Sequence, residues 1–429
     1  MNLRNLPDGW RRARLGYLAE THVPQRDKPE TLTGPIPWVR IEDFNGQYIE
    51  ASKTKQGVTE EQVRAMNLRV YESGTVLCSC SCTMGATAIV QAPLVSNQTF
   101  IGLTPGRDLE SRFLFYLLLA MKNELQAQAT GAIQQYLSRD DFRSLRVSLP
   151  PTGEQRRIAN FLDAETARID TVLSTEGRLL KRLAERRTAG VIAAVAQTEK
   201  PDRKKSSLPW LDTIPSSWDE VRLGLLAQMG SGHTPSRSHP EWWTDCTIPW
   251  ITTGEVQQVR SDRVEEVHET REKISEIGLA NSAAELHPKG TVFLCRTASA
   301  GFSGIMGLDM ATSQDFVTWT CGSRLSPQYL LWCLRAMRPD LLGRLAMGST
   351  HKTIYVPDLQ MLRIPLPSLK EQSEIVEIIR RRNAWIDALT DKVGRQSSLL
   401  KERRQALITA AVTGQFDVSS ASGRGVDPA

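Results

Sequence analysis

Residues 150–197 read PPTGEQRRIANFLDAETARIDTVLSTEGRLLKRLAERRTAGVIAAVAQ. Taking Ile158 as the first heptad position, apolar residues recur at Ile158, Leu162, Ile169, Val172, Leu179 and Leu183. That spacing is a coiled-coil seam on one long helix. Glu165, Glu176 and Arg186 interrupt the seam, and these polar breaks are read as places where it meets partner chains. The helix opens after a Pro-Pro-Thr-Gly stop. Glu154 lies in its first turn, where a carboxylate suits the positive end of the helix dipole. Residues 367–414, PSLKEQSEIVEIIRRRNAWIDALTDKVGRQSSLLKERRQALITAAVTG, repeat the pattern at a constant offset. Glu154-Gln155 matches Glu371-Gln372, Ile169-Asp170 matches Ile386-Asp387, and Arg187 matches Arg404. The second seam runs through Ile375, Ile379, Ile386, Leu389, Val393, Leu400 and Leu407. Two seams of equal length predict that each helix buries its stripe on the other.

The echo extends over the whole chain. PDGWRRARLGYLA at 7–19 matches PSSWDEVRLGLLA at 215–227, and Ile36-Pro37-Trp38 matches Ile248-Pro249-Trp250. Gly74-Thr75-Val76 matches Gly290-Thr291-Val292, each followed by small residues ending in Gly85 or Gly301. Ser96–Phe100 matches Thr312–Phe316, Gly131 matches Gly348, and Asp141 matches Asp358. A period of half the chain is a duplicated module, not a solenoid of short repeats. Each module has strand-like runs bounded by Gly, Pro, Asn and Ser. They are PWVRI, RVYESGTVLCSC and ATAIVQA in the first copy, and IPWIT, GTVFLCR and QDFVTWT in the second. An amphipathic helix follows, at 111–127 and 327–342, then a Gly-led loop and a last strand ending at proline.

The fold class is therefore α+β: two similar α/β modules separated by a pair of long antiparallel helices, with an internal pseudo-two-fold repeat. The predicted divisions are a first module over 1–150, a central helix over 151–198 and an exposed linker over 199–213. A second module follows over 214–367, then a C-terminal helix over 368–416 and a disordered tail over 417–429. At about 1.5 Å per residue such a helix reaches roughly 65 Å. Modules at its two ends can be spaced by about one DNA turn, roughly 34–36 Å. Two related but non-identical heads on a rod suit a split, asymmetric site.

Composition bounds the rest. The 429 residues, 40% hydrophobic and 24% charged, describe a globular chain of more than one domain. The longest apolar run, FLFYLLLAM at 113–121, is too short to span a membrane, and MNLRNLPDGWRR has no apolar signal core. Seven cysteines without a disulfide-like spread point to a reducing cytoplasm. The net charge of +5 permits nucleic-acid binding without requiring it.

Taken in order, the W–RLG entry, the GTV…G turn, the [SN]-Q-x-F element and the P-x-x-x-EQ…I helix start, each present twice, resemble the specificity subunit of type I restriction–modification systems. The resemblance covers nearly the whole length. It departs after the glycine of the GTV element, where Thr75 and Thr291 stand at a position that is often acidic in the family. The resemblance implies two target recognition domains, each binding half of a bipartite site on double-stranded DNA, with the helices as a ruler between them. It also implies docking to two modification (methyltransferase) subunits and to restriction/translocase subunits. S-adenosylmethionine, ATP and Mg would then be held by those partners and no cofactor by this chain.

Catalytic signatures are missing from the sequence. There is no H-E-x-x-H, no Gly-Lys pair for a phosphate-binding loop, no G-x-G-x-x-G after a strand, and no Asn/Asp-Pro-Pro-aromatic tetrad. Pro201-Asp202 and Pro339-Asp340 lack an acidic-x-Lys partner for a metal nuclease. Cys78, Cys80 and Cys82 alternate along a strand, which puts their thiols on one face. The second copy has Leu294, Arg296 and Ala298 there, which favours a core role over a metal site. The chain is thus read as non-catalytic, with a coiled-coil scaffold that binds no DNA as the competing reading.

Candidate DNA contacts lie on the loops before the long helices: Gln134, Gln135, Tyr136 and Arg139 in one copy, and Ser349, Thr350, His351 and Lys352 in the other. The entry loops add Arg26 and Lys28, and His233, Thr234, Ser236 and Arg237. Arg40, Arg296 and Thr297 lie at predicted strand ends. Gln can read adenine through paired hydrogen bonds, Arg and Lys can read guanine or hold phosphate, and Ser or Thr can do either.

Overall fold

The computed structural model describes residues 6–24, 28–81, 83–129, 136–346 and 352–421. The chain forms two compact units, Met1–Gly177 with Gly394–Ala429, and Arg178–Val393. Among the described residues, no helix is long and apolar enough to cross a membrane.

In the first unit the order of strands in the main sheet is Ala19–His22, Phe100–Pro105, Val76–Ser79, Thr87–Val90 and Tyr48–Ile49. The second unit repeats it with Ala227–Ser231, Phe316–Cys321, Val292–Cys295, Ser303–Met306 and Glu266–Val267. Val76 lies opposite Ile89 and Leu103, and Val292 opposite Ile305 and Trp319. A three-stranded sheet stands beside each main sheet, centred on Ile36–Val39 or Ile248–Ile251. The entry strand of each module pairs antiparallel with the strand before the long helix: Arg11–Arg14 with Arg146–Leu149, and Asp219–Arg222 with Arg363–Leu366.

The repeated glycines mark turns that need left-handed backbone. Gly74 and Gly290 have φ of +88° and +87°, and Gly85 and Gly301 have +80° and +86°. A side chain there would be strained in its own backbone. At the last two it would also meet Lys122 or Arg338. The threonines that follow Gly74 and Gly290 are buried. Thr75 and Thr104 pair their hydroxyls at 3.3 Å, and Thr291 and Thr320 at 2.9 Å. At the position often acidic in the family, this chain thus packs two threonines against two others.

The long helices run over Thr152–Val195 and Leu369–Val412, 44 residues each. Within the first unit, Asp170 pairs with Arg404 and Glu176 with Ser397, so the two segments run antiparallel. Ile158 and Leu162 share a core with Ile408, Ala411 and Val412 and with Phe113, Leu114 and Leu117 of the module helix. Within the second unit, Arg187 pairs with Asp387. Val191 and Val195 share a core with Ile375 and Ile379 and with the module strands. Each segment buries its seam chiefly where a module helix and sheet can close over it.

Several expectations need correction. Val172 and Leu179, placed in the first seam, are 42% and 39% exposed. The heptad repeat continues through them without a module to cover it. Glu176 is no outward break for a partner chain: it is buried and accepts a hydrogen bond from Ser397. The linker expected over 199–213 is folded. Arg203–Lys205 pairs with Thr213–Pro215, while Leu208 and Leu211 bury their side chains in the core of the second unit. Arg203 also donates to the carbonyls of Ala196 and Gln197, closing the end of the central helix. The charged run TEKPDRKK masked these two leucine anchors. The tail expected over 417–429 begins with a short helix, Val418–Ala421, and Val418 is buried in the core of the first unit. Residues 422–429 lie outside the described residues.

Candidate nucleic-acid interface

Each repeated helix start explains its glutamine. Gln155 is fully buried. Its Oε1 accepts from the Glu110 backbone N–H at 2.8 Å, and its Nε2 donates to the Asp108 and Pro150 carbonyls at 2.8 and 2.9 Å. Gln372 does the same, accepting from Ser326 at 2.8 Å and donating to Arg324 and Pro367 at 2.9 and 3.0 Å. The amide satisfies backbone groups on both sides of the junction. It thereby fixes the module helix against the start of the long helix. The neighbouring Glu371 accepts from Ser368 N–H and hydroxyl, from Lys200 at 2.7 Å and from the Trp218 indole at 3.3 Å. The Lys200 hydrogen bond above all holds its carboxyl down at about 2.

On this frame, four segments of the second unit meet along one edge. The Arg296 backbone N–H donates to Asp315 at 2.8 Å, and its carbonyl accepts from Ile354 at 2.8 Å. Thr297 bridges Thr353, next to Lys352. The His233 backbone N–H donates to the Thr312 carbonyl at 3.0 Å, and the Thr234 hydroxyl donates to Gln314 Oε1 at 2.5 Å. Gly232 permits this approach, since a Cβ there would lie 2.2 Å from the Thr312 carbonyl oxygen. Arg296 Nε donates to the Gln314 carbonyl at 3.0 Å. His233, Thr234, Gln314, Arg296, Thr297 and Lys352 are therefore brought together. Lys352 is exposed, with its Nζ 3.3 Å from the Leu342 carbonyl.

Ser236 and Arg237 are engaged elsewhere. The Ser236 hydroxyl pairs with that of Ser238 at 2.7 Å. Arg237 donates to Glu272 at 3.0 Å and lies 4.1 Å over the Trp243 ring. Ser349, Thr350 and His351 lie outside the described residues.

The first unit repeats the backbone stitching with other side chains. Cys80 N–H donates to Thr99 at 2.9 Å, its carbonyl accepts from Leu137 at 2.9 Å, and Ser81 bridges Tyr136. Tyr136 is 40% exposed. Arg139 opens a short helix, Arg139–Ser144, capped by Ser138 and Asp141. His22 Nε2 accepts from Arg69 at 3.1 Å, because a guanidinium has no acceptor to offer. Burial, then Arg69 and, more weakly, Arg139, push the His22 pKa below its usual value, against Glu20. The His22 imidazole thus meets the Arg69 guanidinium directly. Lys28 is exposed. Arg40 is partly buried, ion-paired with Glu42 at 2.9 Å, and its backbone N–H donates to Asp43. Arg26, Gln134 and Gln135 lie outside the described residues.

The structure adds Gln314, Arg69 and His22 to the surface groups named from sequence. Gln314 stood in view inside the repeated [SN]-Q-x-F element at Thr312–Phe316. Arg69 and His22 carry no motif, and only folding brings them together. Cys78 and Cys80 are fully buried, and burial pushes the Cys78 thiol up to about 12, as fits core packing. Cys82 lies outside the described residues.

Comparison with known proteins places this architecture. The family described as "Type I restriction modification DNA specificity domain" matches residues 7–176 and again 215–393. The chain is 22% identical over 415 residues to the specificity subunit of the type I restriction enzyme MjaIX of Methanocaldococcus jannaschii, covering 94% of this chain and 92% of that one. It is 23% identical to the EcoBI specificity subunit of Escherichia coli, covering 77% and 71%. Its fold matches a chain solved in a study of assembly and conformational transition of the type I R-M system, with a TM-score of 0.72, 21% identity and coverage of 96% and 100%. It also matches the HsdS subunit of Thermoanaerobacter tengcongensis, with a TM-score of 0.55, 21% identity and coverage of 97% and 99%. With the specificity-domain pattern present twice, on two modules of one strand order, the chain belongs to the family of type I restriction–modification specificity subunits.

Proposed function

We propose that the chain is the DNA sequence-specificity subunit of a type I restriction–modification complex. Module 1–150 reads one half of a bipartite, asymmetric site and module 214–367 reads the other. The helices over 151–198 and 368–416 set the gap. The observation that carries this is the pair of specificity domains with one backbone frame and different side chains at equivalent edge positions: Cys80, Ser81 and Tyr136 against Arg296, Thr297 and Thr353. A shared frame holds two modules in the same manner, and unlike side chains give each its own base preference. Arg69 and Arg139 in the first unit, and Arg296 and Lys352 in the second, supply charge for phosphate. The loop residues Gln134, Gln135, Ser349, Thr350 and His351 belong to the same reading.

In this account the chain performs no catalysis. Two modification subunits bring S-adenosylmethionine chemistry, and a restriction/translocase subunit brings ATP and Mg, all in the cytoplasm. The test is a gel shift of the chain with its modification subunit on random-sequence duplex at low and raised salt. Binding that weakens steeply with salt is expected. No binding at low salt would favour a scaffold instead, and methyl transfer by the purified chain alone would overturn the non-catalytic assignment.

A further inference from the structure

A cavity of about 290 Å³ opens in the second unit where the central helix ends against the C-terminal helix. Ala193, Ala194 and Ile378 line it with apolar surface, and Gln197 and Arg382 border it. Ile378 is 39% exposed, a large apolar side chain with one side uncovered. Gln197 Oε1 is buried and accepts no hydrogen bond. Arg382 lies over Gly190, whose missing Cβ gives it room, and no hydrogen bond or ion pair occupies its guanidinium among the described residues. The volume falls just below the range typical of small-molecule pockets and suits a single large side chain.

The internal repeat shows what fills the equivalent place in the first unit. Both long helices end alike, on a left-handed residue: Gln197 at φ +44° and Gly414 at φ +75°. Thr198 N–H donates to the Ala193 carbonyl as Gln415 N–H donates to Ala410. Two residues beyond the left-handed position, the first unit has Phe416, which packs on Phe161 at 5.6 Å between ring centroids. The second unit has exposed Glu199 in place of Phe416 and Ile378 in place of Phe161. Its rim also differs, with Arg382 where the first unit has Glu165. The chain thus fills one copy of the socket with its own aromatic ring and leaves the other without one; Arg382, Glu199 and Lys200 border it, Lys200 being paired with Glu371.

We infer that the cavity at Ile378 and Arg382 is a docking socket for a partner polypeptide that presents an aromatic side chain next to a carboxylate. The ring covers Ile378 and the two alanines, as Phe416 covers Phe161. The carboxylate pairs with Arg382. The Arg382 guanidinium beside an apolar floor is satisfied by this occupant. This assignment does not depend on which DNA is bound.

The probe is a peptide of sequence Thr-Gly-Gln-Phe-Asp-Val, copied from residues 413–418, with a fluorine on the phenylalanine ring. It is titrated with the full chain and followed by fluorine NMR. Saturable broadening in the millimolar range or tighter is expected. Glu199→Phe places a ring where the first unit has Phe416. It should weaken peptide binding by about tenfold or more and raise the thermal midpoint. Ile378→Asp, at an exposed position, should weaken binding to a similar degree without relying on a new aromatic. Changing the peptide's Asp to Asn, or Arg382→Ala in the chain, should weaken it several-fold. No saturable broadening, or equal broadening with Glu199→Phe, overturns the inference. Concentration-dependent self-association that Glu199→Phe abolishes would assign the socket to a second copy of the chain and overturn the partner assignment.

Discussion

The two units share a frame and differ in how they fasten it. Edge strand and long helix meet in both. In the first unit Gln47 donates to Asp163 at 3.0 Å, and in the second Glu265 accepts from Arg380 at 2.8 Å. The positions correspond, yet an amide–carboxylate contact has become a carboxylate–guanidinium contact. The first unit centres on Asp163, which also accepts from Arg112 at 2.9 Å and Tyr116 at 2.7 Å. The second centres instead on Asp262, which holds Arg338 by two bonds of 2.8 and 2.7 Å and lies 3.3 Å from the buried Arg335. Leu119 of the first unit corresponds to Arg335, so that unit has no such buried cation at this point. By contrast, the glutamine clamps and the glycine–threonine turns are the same in both. The equivalent helix ion pairs Asp170–Arg404 and Arg187–Asp387 are kept as well, so the units differ chiefly in the contacts around Asp163 and Asp262.

That contrast can be broken by mutation. The largest effect is expected at Asp262→Asn, which keeps the residue's shape and its left-handed backbone (φ +57°) but removes the charge beside Arg335. Arg335 would remain buried without its carboxylate, and burial already pushes its pKa down to about 10. A loss of about 3–5 kcal/mol is expected. Hydrogen exchange of the module strands should place it in the second unit, with the first unit unaffected.

Gln155→Ala and Gln372→Ala should behave alike. Each deletes three hydrogen bonds at a buried junction and should cost about 2–3 kcal/mol in its own unit. Losses that differ widely between the two would show that the clamps are not equivalent. The smallest effect concerns acid. Glu371 has a folded pKa depressed to about 2, so its contribution is present above the ordinary carboxylate range. That contribution is lost as the pH falls from that range toward 2. Glu371→Gln should therefore lower the second unit's stability at neutral pH and make it fall less on acidification. An unchanged acid limb would contradict the role given to Lys200 and Ser368.

Much of the frame was legible because the chain states it twice. GTVFLCR became the strand Val292–Cys295, QDFVTWT became Phe316–Cys321, and ATAIVQA became Thr87–Val90. The helix at 327–342 became Pro327–Asp340. The order of the sheet was not legible. Its far edge is a two-residue strand, Tyr48–Ile49 or Glu266–Val267, joined in parallel to a partner distant in sequence. Two residues leave no periodicity to read. The helix seam overreached at Val172 and Leu179, because a heptad pattern records apolar spacing and not what covers it. The glutamine of each helix start was visible as a match, but its three backbone partners become apparent only when the preceding loop folds onto it. Of the candidate contacts, His233, Arg296 and Thr297 meet through backbone bonds no motif announces, while His22 meets Arg69, far away in sequence.

The central claim is that each module reads its own half-site and that the helices alone set the gap. Methylome sequencing of cells expressing the chain with its modification subunit tests it, comparing the natural chain with one carrying a single helical turn inserted near Thr175. The account predicts a bipartite motif for the natural chain, and for the variant the same two half-sites at a changed gap. A continuous motif, or a changed half-site at an unchanged gap, would contradict it.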